Sequence, residues 1–233
     1  MWRFNYDLGK APEKPSTYSL NHGMYTCSSC VPRIEVKADG TDQPVTGQAV
    51  DTMSVRAVDS KTVIRIGKKN GTVFYEITQT VSDDGKTLTS TTAYPANSDP
   101  KSAFHITFTR LAPAPAGAHA ISGSWRFAGG NTSGNAGVIT VKSTADRLSY
   151  SDFSGASYTA KLDGKDYPVT GGGLWTSVSL KRIDDRTIEE TDKRGEKVSS
   201  LSRCTISPDG TKMTVADSNK LTGDHSTAVY EKQ

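Results

Sequence analysis

Apolar and polar residues alternate in short segments along almost the whole chain, and no long segment has the three-and-four spacing of a helix. The alternating segments are rich in Val, Ile, Thr, Tyr and Phe, as in residues 62–67, 72–81 and 198–206. They follow one another at intervals of about ten residues, which is typical of an antiparallel meander. The sequence therefore predicts an all-β fold, and closure into a barrel would leave the meander without free edges.

The residues between these segments are those of tight turns. Asn70-Gly71 suits the positive φ angles of a two-residue hairpin. Gly85 and Gly210 each end a turn that begins with Ser and contains Asp, and Pro208 fixes φ in the second of these turns. These turns predict hairpin connections between consecutive strands.

The sequence contains an internal repeat. The motif Trp-Arg-Phe begins at Trp2 and again at Trp125, and residues 37–47 correspond to residues 161–171. The offset stays at 123 to 125 residues along the chain. We infer that a unit of about 110 residues was duplicated, which is a size that can bury its own core.

The stretch around residues 112–120 is rich in Pro, Ala and Gly and marks a boundary. We predict one β repeat at residues 1–112, a semi-stiff linker at 113–121 and a second β repeat at 122–233. The repeats form either two small barrels or one joint pseudo-symmetric barrel.

The Gly-x-Trp motif at residues 123–125, followed by a meander, resembles the start of a lipocalin-like, calycin-type β-barrel. In lipocalins a late Arg packs across that Trp. Trp2 matches the Trp position of the first repeat, where Arg110 would take the Arg role, and the second repeat offers Lys232. The strand pattern is also similar to that of uncharacterised exported bacterial proteins. The resemblance implies two tandem barrels, each cup-shaped, with an interior pocket for a small, mostly apolar molecule.

Composition and charge exclude several classes of protein. Hydrophobic residues make up 34% and charged residues 23% of the chain, as in a globular protein. The net charge is +3 and the basic residues are scattered, so we expect no nucleic-acid partner. No apolar stretch approaches the roughly 20 residues of a membrane helix, so we expect no membrane span.

The expected location is outside the cytoplasm. Trp2, a predicted core residue, directly follows Met1, which favours an export signal that has been removed, and a genuine cytosolic start is the alternative. Cys27 and Cys30 form a C-x-x-C pair, which we interpret as a disulfide formed in the periplasm or after secretion. Zinc binding and redox chemistry remain alternatives, although a zinc site would need two further ligands.

Acidic and basic residues on the later strands are candidates for acid–base chemistry. On a strand, Glu189 and Glu190 point to opposite faces, so one of them faces inward if the sheet closes. Arg203 on the next strand would be the partner of a buried glutamate that binds a polar group or transfers a proton. The alternative is a solvated ladder of charges on the outer face.

Two histidines are further catalytic candidates. His225 follows Asp224, and such a pair could act as a general base, although adjacent residues on a strand point apart. His105 alternates with apolar neighbours and so faces away from them.

Three aromatic residues are candidates for ligand binding: Tyr75, Tyr158 and Trp175. Trp175 follows the segment 171–174, which contains three glycines and could serve as a lid at the mouth of a pocket. The alternative is a Trp packed on the outside beside a glycine hinge.

No nucleophile elbow, phosphate loop, dinucleotide fingerprint or metal-protease motif is present in the sequence, and we expect no cofactor and no metal. The first hypothesis is a protein that binds or carries a small apolar or aromatic molecule. The second is a cofactor-free lyase, isomerase or dehydratase that acts on a small hydrophobic substrate in the same pocket. The third is a structural module of the cell envelope that contacts other proteins. The oligomeric state is left open.

Overall fold

The computed structural model describes residues 1–95, 101–112, 114–173 and 175–233, and the described residues form twenty β-strands and no helix. The prediction of an all-β fold is therefore confirmed. Within the described part of the chain no helix is long and apolar enough to cross a membrane.

The chain divides into two compact units. The terminal unit contains Met1–Glu13 and Gly137–Gln233, and the central unit contains Lys14–Ala136. Each unit has its own ten-stranded antiparallel sheet. The alternative of one joint barrel is therefore wrong, and each sheet forms a nearly closed barrel of its own.

The sheet of the terminal unit has the strand order β14-β13-β12-β1-β20-β19-β18-β17-β16-β15. Two backbone hydrogen bonds between Ser157 and Thr170 link its two ends. Its strands are β1 (Trp2–Lys10), β12 (Val138–Ser143), β13 (Arg147–Asp152), β14 (Ser157–Lys161), β15 (Asp163–Pro168), β16 (Ser177–Arg182), β17 (Thr187–Arg194), β18 (Lys197–Ile206), β19 (Lys212–Asn219) and β20 (His225–Lys232).

The sheet of the central unit has the equivalent order β4-β3-β2-β11-β10-β9-β8-β7-β6-β5. A bridge between Asp39 and Arg56 brings its ends together. Its strands are β2 (Ser16–Asn21), β3 (Met24–Cys27), β4 (Ile34–Lys37), β5 (Gln43–Pro44), β6 (Thr52–Ala57), β7 (Thr62–Lys69), β8 (Thr72–Val81), β9 (Thr87–Ala93), β10 (Ala103–Arg110) and β11 (Gly123–Ser133).

The first strand of each sequence repeat belongs to the unit that the other repeat forms. Strand β1 lies between β12 and β20, and β11 lies between β2 and β10. The compact units therefore differ from the predicted boundaries at 112 and 122. Both first strands contain the same Trp-Arg-Phe motif at or near their start, so the sequence pattern fits either place.

The Pro/Ala-rich segment at 113–121 has a different role from the one predicted. Pro113 lies outside the described residues. The segment connects β10 to β11, which are neighbours in one sheet, so it joins two strands of the central unit. The chain passes from one unit to the other after Glu13 and again after Ala136.

Trp125 is the centre of packing at the start of β11. It is 0% exposed, and its indole Nε1 donates a hydrogen bond to the carbonyl of Ile121 at 2.9 Å. The Arg110 Cζ lies 4.0 Å from the centre of the Trp125 ring. Arg110 therefore packs on Trp125, whereas the sequence analysis paired it with Trp2. Trp2 lies opposite Lys232 instead, because the first strands are exchanged.

Arg110 also joins several backbone segments of the central unit. Its guanidinium donates hydrogen bonds to the carbonyls of Gly85 at 2.5 Å, Ser122 at 2.7 Å and Ala120 at 2.5 Å. Hydrogen bonds to a charged donor are stronger than neutral ones, so these three bonds fix the end of the barrel beside Trp125.

The predicted turns are present. Asn70 and Gly71 have φ angles of 50° and 77°, which is the geometry of the hairpin between β7 and β8. Gly85 and Gly210 have φ angles of 72° and 71°, and their amides donate to the carbonyls of Ser82 and Ser207. The same turn therefore recurs at equivalent places of the two repeats.

Cys27 and Cys30 form a disulfide, as predicted, and Cys204 is a free thiol. Cys27 lies on β3 and is 1% exposed, whereas Cys30 follows the strand. The bridge therefore braces the exit of β3 against the core of the central unit.

We expect that replacing both Cys27 and Cys30 by alanine lowers the free energy of unfolding of the central unit by about 2 kcal/mol, because the bridge closes only a short loop. Urea unfolding under non-reducing conditions measures the change. An unchanged free energy of unfolding in the double variant would contradict this role of the bridge.

Candidate functional site

A cavity of about 220 Å³ lies inside the barrel of the terminal unit. Apolar side chains from β12, β13 and β17 to β20 form much of its wall, and aromatic and acidic side chains form the rest. The volume is below the roughly 300 Å³ at which pockets for drug-sized ligands begin, so the cavity suits a small molecule with a single ring.

Strand alternation places the acids in the cavity. Ile188, Glu190 and Asp192 are alternate residues of β17, and all three face inward. On the neighbouring strand β18, Ser202 lies directly opposite Glu190, and Cys204 lies opposite Ile188.

Glu190 and Asp192 form a pair of buried carboxyl groups. Burial raises the pKa of Glu190, and burial together with the nearby Glu190 raises the pKa of Asp192 to about 8. The two groups are within hydrogen-bonding reach of each other. Two carboxyl groups this close do not readily ionise together, so the pair retains a proton more easily than an isolated acid does.

Hydroxyl groups surround the acids. The Tyr158 Oη donates a hydrogen bond to Glu190 Oε2 at 3.0 Å. On β19, Asp217 Oδ1 accepts a hydrogen bond from Ser202 Oγ at 2.8 Å and another from Ser200 Oγ. Asp217 contributes to the raised pKa values of both Glu190 and Asp192, so a third carboxylate lies close to the pair.

Three aromatic rings pack together on one side of the cavity. Tyr150 and Tyr158 are stacked with their ring centres 5.2 Å apart. The Trp175 ring meets both edge-on, at 5.7 Å from Tyr150 and 5.4 Å from Tyr158. Burial raises the pKa of both tyrosines well above the ordinary value, so both remain neutral hydrogen-bond donors.

Two polar atoms in the site lack a partner. Trp175 Nε1 and Asp192 Oδ1 are buried and make no hydrogen bond with any described residue. The indole nevertheless lies close to Asp192 and lowers the pKa of its carboxyl group, whereas burial raises that pKa. No ion pair joins Glu190, Asp192 or Asp217 to a basic side chain in the described ranges. The site therefore contains acidic groups and polar atoms that have no partner among the described residues.

Three residues that the sequence analysis named come together here: Glu190, Tyr158 and Trp175. Trp175 turns inward after the glycine segment, where an added Cβ on Gly172 would lie 2.7 Å from the Trp175 carbonyl oxygen. Leu174, part of the proposed lid, lies outside the described residues.

Arg203 is not the partner of Glu190. Its side chain is 61% exposed and lies 3.9 Å from Glu189, which it faces directly across the strands. Arg203 and Glu189 therefore form a surface pair on the outer face of the barrel, and such pairs contribute little to stability.

The two candidate histidines lie away from this cavity. His105 belongs to the central unit, where Thr91 Oγ1 is 3.2 Å from its Nδ1 and Ser133 Oγ is 3.3 Å from its Nε2. His225 is exposed at the start of β20. Tyr75 also belongs to the central unit and takes part in a separate cluster, described below.

Sequence reasoning missed Asp192, Asp217 and Tyr150 as members of the site. The spacing of two between Glu190 and Asp192 on one strand was a usable signal, because such residues share a face. Asp217 and Tyr150 come from other strands, and their approach depends on barrel closure. Burial and the acidic neighbours raise the pKa of the Cys204 thiol, so this thiol is not a reactive thiolate at neutral pH.

Among the described residues, no group of three or more His, Cys, Asp or Glu side chains has an arrangement that could hold a metal ion. Comparisons of the chain with protein-family models, with curated proteins and with solved structures gave no match. The arrangement of the site itself therefore carries the functional argument.

Proposed function

We propose that the protein binds a small apolar or aromatic molecule in the cavity of the terminal unit, and that this molecule carries a protonated amine. The observation that carries this proposal is the pair Glu190 and Asp192, two buried carboxyl groups without a basic partner among the described residues, beside three aromatic rings. A buried charge is stabilised when it is paired, and an ammonium group supplies the opposite charge.

The aromatic rings fit the same ligand. A cation near the face of a Trp or Tyr ring gains about 0.5 to 2 kcal/mol, more where water is excluded. Tyr150, Tyr158 and Trp175 stand beside the acids, so one small molecule can place its ammonium group at the carboxylates and its apolar part against the rings and aliphatic wall.

The test uses phenethylamine as a probe, and 2-phenylethanol as a neutral probe of similar shape. We expect calorimetry at neutral pH to show at least about tenfold tighter binding of the amine, because only the amine pairs with the buried charge. Glu190→Gln should weaken amine binding by a similar factor, since it removes the charged partner.

The matched control is Glu189→Gln, because Glu189 lies on the same strand but faces outward. We expect this variant to bind phenethylamine as the original protein does. Equal affinity for the amine and the alcohol would contradict the charge requirement, and no binding of either would contradict the ligand class.

A second candidate function is catalysis by the same pair, as in a cofactor-free lyase, isomerase or dehydratase. The observation in its favour is the pKa of about 8 for Asp192, which places a general acid and a general base near neutral pH. Turnover of an amine probe whose pH profile has a limb near this pKa, and its loss in Asp192→Asn, would favour catalysis over carriage.

Kinship with lipocalin-like barrels and an exported location are further parts of the proposal. The support for kinship is Arg110, which packs across Trp125 of the Gly-x-Trp motif. The support for export to the periplasm or medium is the Cys27–Cys30 disulfide, which an oxidising compartment favours. The interior cavity favours ligand binding over a purely structural envelope module.

A further inference from the structure

The central unit contains a buried cation without a counter-charge in the described residues. Arg65 lies on β7 and is 7% exposed. It forms no ion pair and no hydrogen bond with the described residues, and its Nε is buried without a partner. Its close contact is with the Tyr25 ring, whose centre lies 5.4 Å from the Arg65 Cζ.

A buried guanidinium needs a partner. Arginine stays protonated in proteins, so Arg65 cannot lower the cost of burial by losing its charge. Buried charges in folded proteins are therefore paired, and the attraction of one Tyr ring offsets only part of the desolvation cost.

Other polar groups around Arg65 also lack partners. Tyr25 is 0% exposed and its Oη makes no hydrogen bond in the described structure. On β8, Ile77 lies opposite Arg65, so Tyr75 and Gln79 are its diagonal neighbours on the same face. Gln79 is 1% exposed, and its Oε1 is likewise without a partner among the described residues.

The repeat places Arg65 at the position of Glu190. Arg65 faces Val55 across the sheet as Glu190 faces Leu180, so the two residues are equivalent in the two barrels. An acidic residue in the terminal unit therefore stands where the central unit has a basic one. Neither residue forms an ion pair with a described residue, and the residues around the two positions differ.

The position of Asp192 corresponds to Gly67, which is two residues after Arg65. A Cβ at Gly67 would lie 2.5 Å from the Tyr75 Cζ, so the absence of a side chain allows the Tyr75 ring to lie there. The second acid of the terminal unit is thus replaced by an aromatic ring beside the arginine.

We propose that the central unit holds a second ligand site, in which Arg65 and the Tyr25 hydroxyl bind the carboxylate of a small apolar monocarboxylic acid. This inference goes beyond the amine site of the terminal unit and does not depend on it. The planar guanidinium binds the two oxygens of a carboxylate in parallel, and Tyr25 Oη supplies a further donor.

The surroundings favour a monocarboxylate over phosphate. One negative charge balances one guanidinium, whereas a phosphate brings close to two charges at neutral pH. The core cluster that contains Tyr25 consists mostly of apolar side chains, which favours an occupant whose other part is a hydrocarbon group.

The test is an NMR titration of the full chain, labelled with ¹⁵N at arginine, with benzoate as the probe and chloride as the competing anion. We expect a saturable shift of the Arg65 Nε–Hε signal. Arg56 is exposed on the adjacent strand β6 and serves as the internal control, with a small linear shift. Arg65→Lys should weaken benzoate binding at least about tenfold, because lysine lacks the planar fork, and Arg56→Gln should leave it unchanged.

Three results would overturn the proposal. The first is an Arg65 signal that moves no more than that of Arg56. The second is displacement of benzoate by chloride at equal concentration, which would show a site for any anion. The third is unchanged affinity in Arg65→Lys. The wild-type titration decides the matter even if the variant does not fold, and its readout in the central unit is separate from the phenethylamine test.

Discussion

Replacement of Trp125 by alanine is expected to destabilise the central unit by about 3 to 5 kcal/mol and to leave the terminal unit folded. Trp125 is 0% exposed, so its removal creates a large cavity in the core. The substitution also removes the ring on which Arg110 packs. The guanidinium would then lose its cation–π contact next to a new cavity.

Hydrogen exchange followed by mass spectrometry checks this result. We expect amide protection to fall in residues 14–112, although Trp125 follows these residues in the chain. The matched variant is Trp2→Ala, which should lower protection in residues 137–233 because Trp2 lies in β1 of the terminal unit. Loss of protection confined to residues 137–233 in Trp125→Ala would contradict the exchanged strands.

Asp192→Asn is expected to remove most of the pH dependence of the stability of the terminal unit between pH 5 and pH 8. In the folded protein the pKa of Asp192 is about 8, whereas that of an unfolded Asp is about 3.9. Between these values the folded state holds a proton that the unfolded state has released. The stabilisation is complete below about pH 4 and is lost as the pH rises towards 8.

The expected size of this effect is on the order of 2 to 4 kcal/mol, because each unit of pKa difference corresponds to about 1.4 kcal/mol and Glu190 shares the proton. Asparagine is uncharged at every pH and can still donate a hydrogen bond to Glu190, so most of the difference in stability between pH 5 and pH 8 should disappear in the variant. Urea unfolding at both pH values, read by hydrogen exchange of residues 137–233, measures this. Equal stability of the original protein at the two pH values would mean that the pKa of Asp192 in the folded state is close to its value in the unfolded state.

The two barrels carry different ionisable residues at equivalent interior positions. Glu190 and Arg65 occupy equivalent positions, and so do Asp192 and Gly67. Three differences on two strands separate the interior acid pair from the arginine beside an aromatic ring, because Tyr75 stands where the terminal unit has Ser200. Backbone hydrogen bonds between neighbouring strands hold the barrel together. These side chains take no part in those bonds, so the barrel framework remains the same when they change.

Three residues named from the sequence line the cavity of the terminal unit. Glu190, Tyr158 and Trp175 were named from strand alternation and aromatic content, and they lie in one cavity. The sequence could not choose between Glu189 and Glu190 as the inward residue, because a shift of one residue in register exchanges the two faces of a strand. For the same reason, the sequence analysis paired Arg203 with Glu190, whereas Arg203 lies on the outer face beside Glu189.

The sequence by itself determined the all-β class, the hairpin turns at Gly71, Gly85 and Gly210, the duplication and the Cys27–Cys30 disulfide. These features depend on side-chain period, on backbone φ and on residues close together in the chain, so local sequence contains the necessary information.

Only the tertiary structure decided which first strand completes which barrel and which charges meet inside. Strands β1 and β11 carry the same motif, so both places satisfy the same local preferences. The acid pair beside Asp217 and the unpaired Arg65 depend on strands far apart in sequence that meet when each sheet closes. The physical reason is that the free energy of a buried charge depends on its spatial neighbours, and the order of residues along the chain does not specify them.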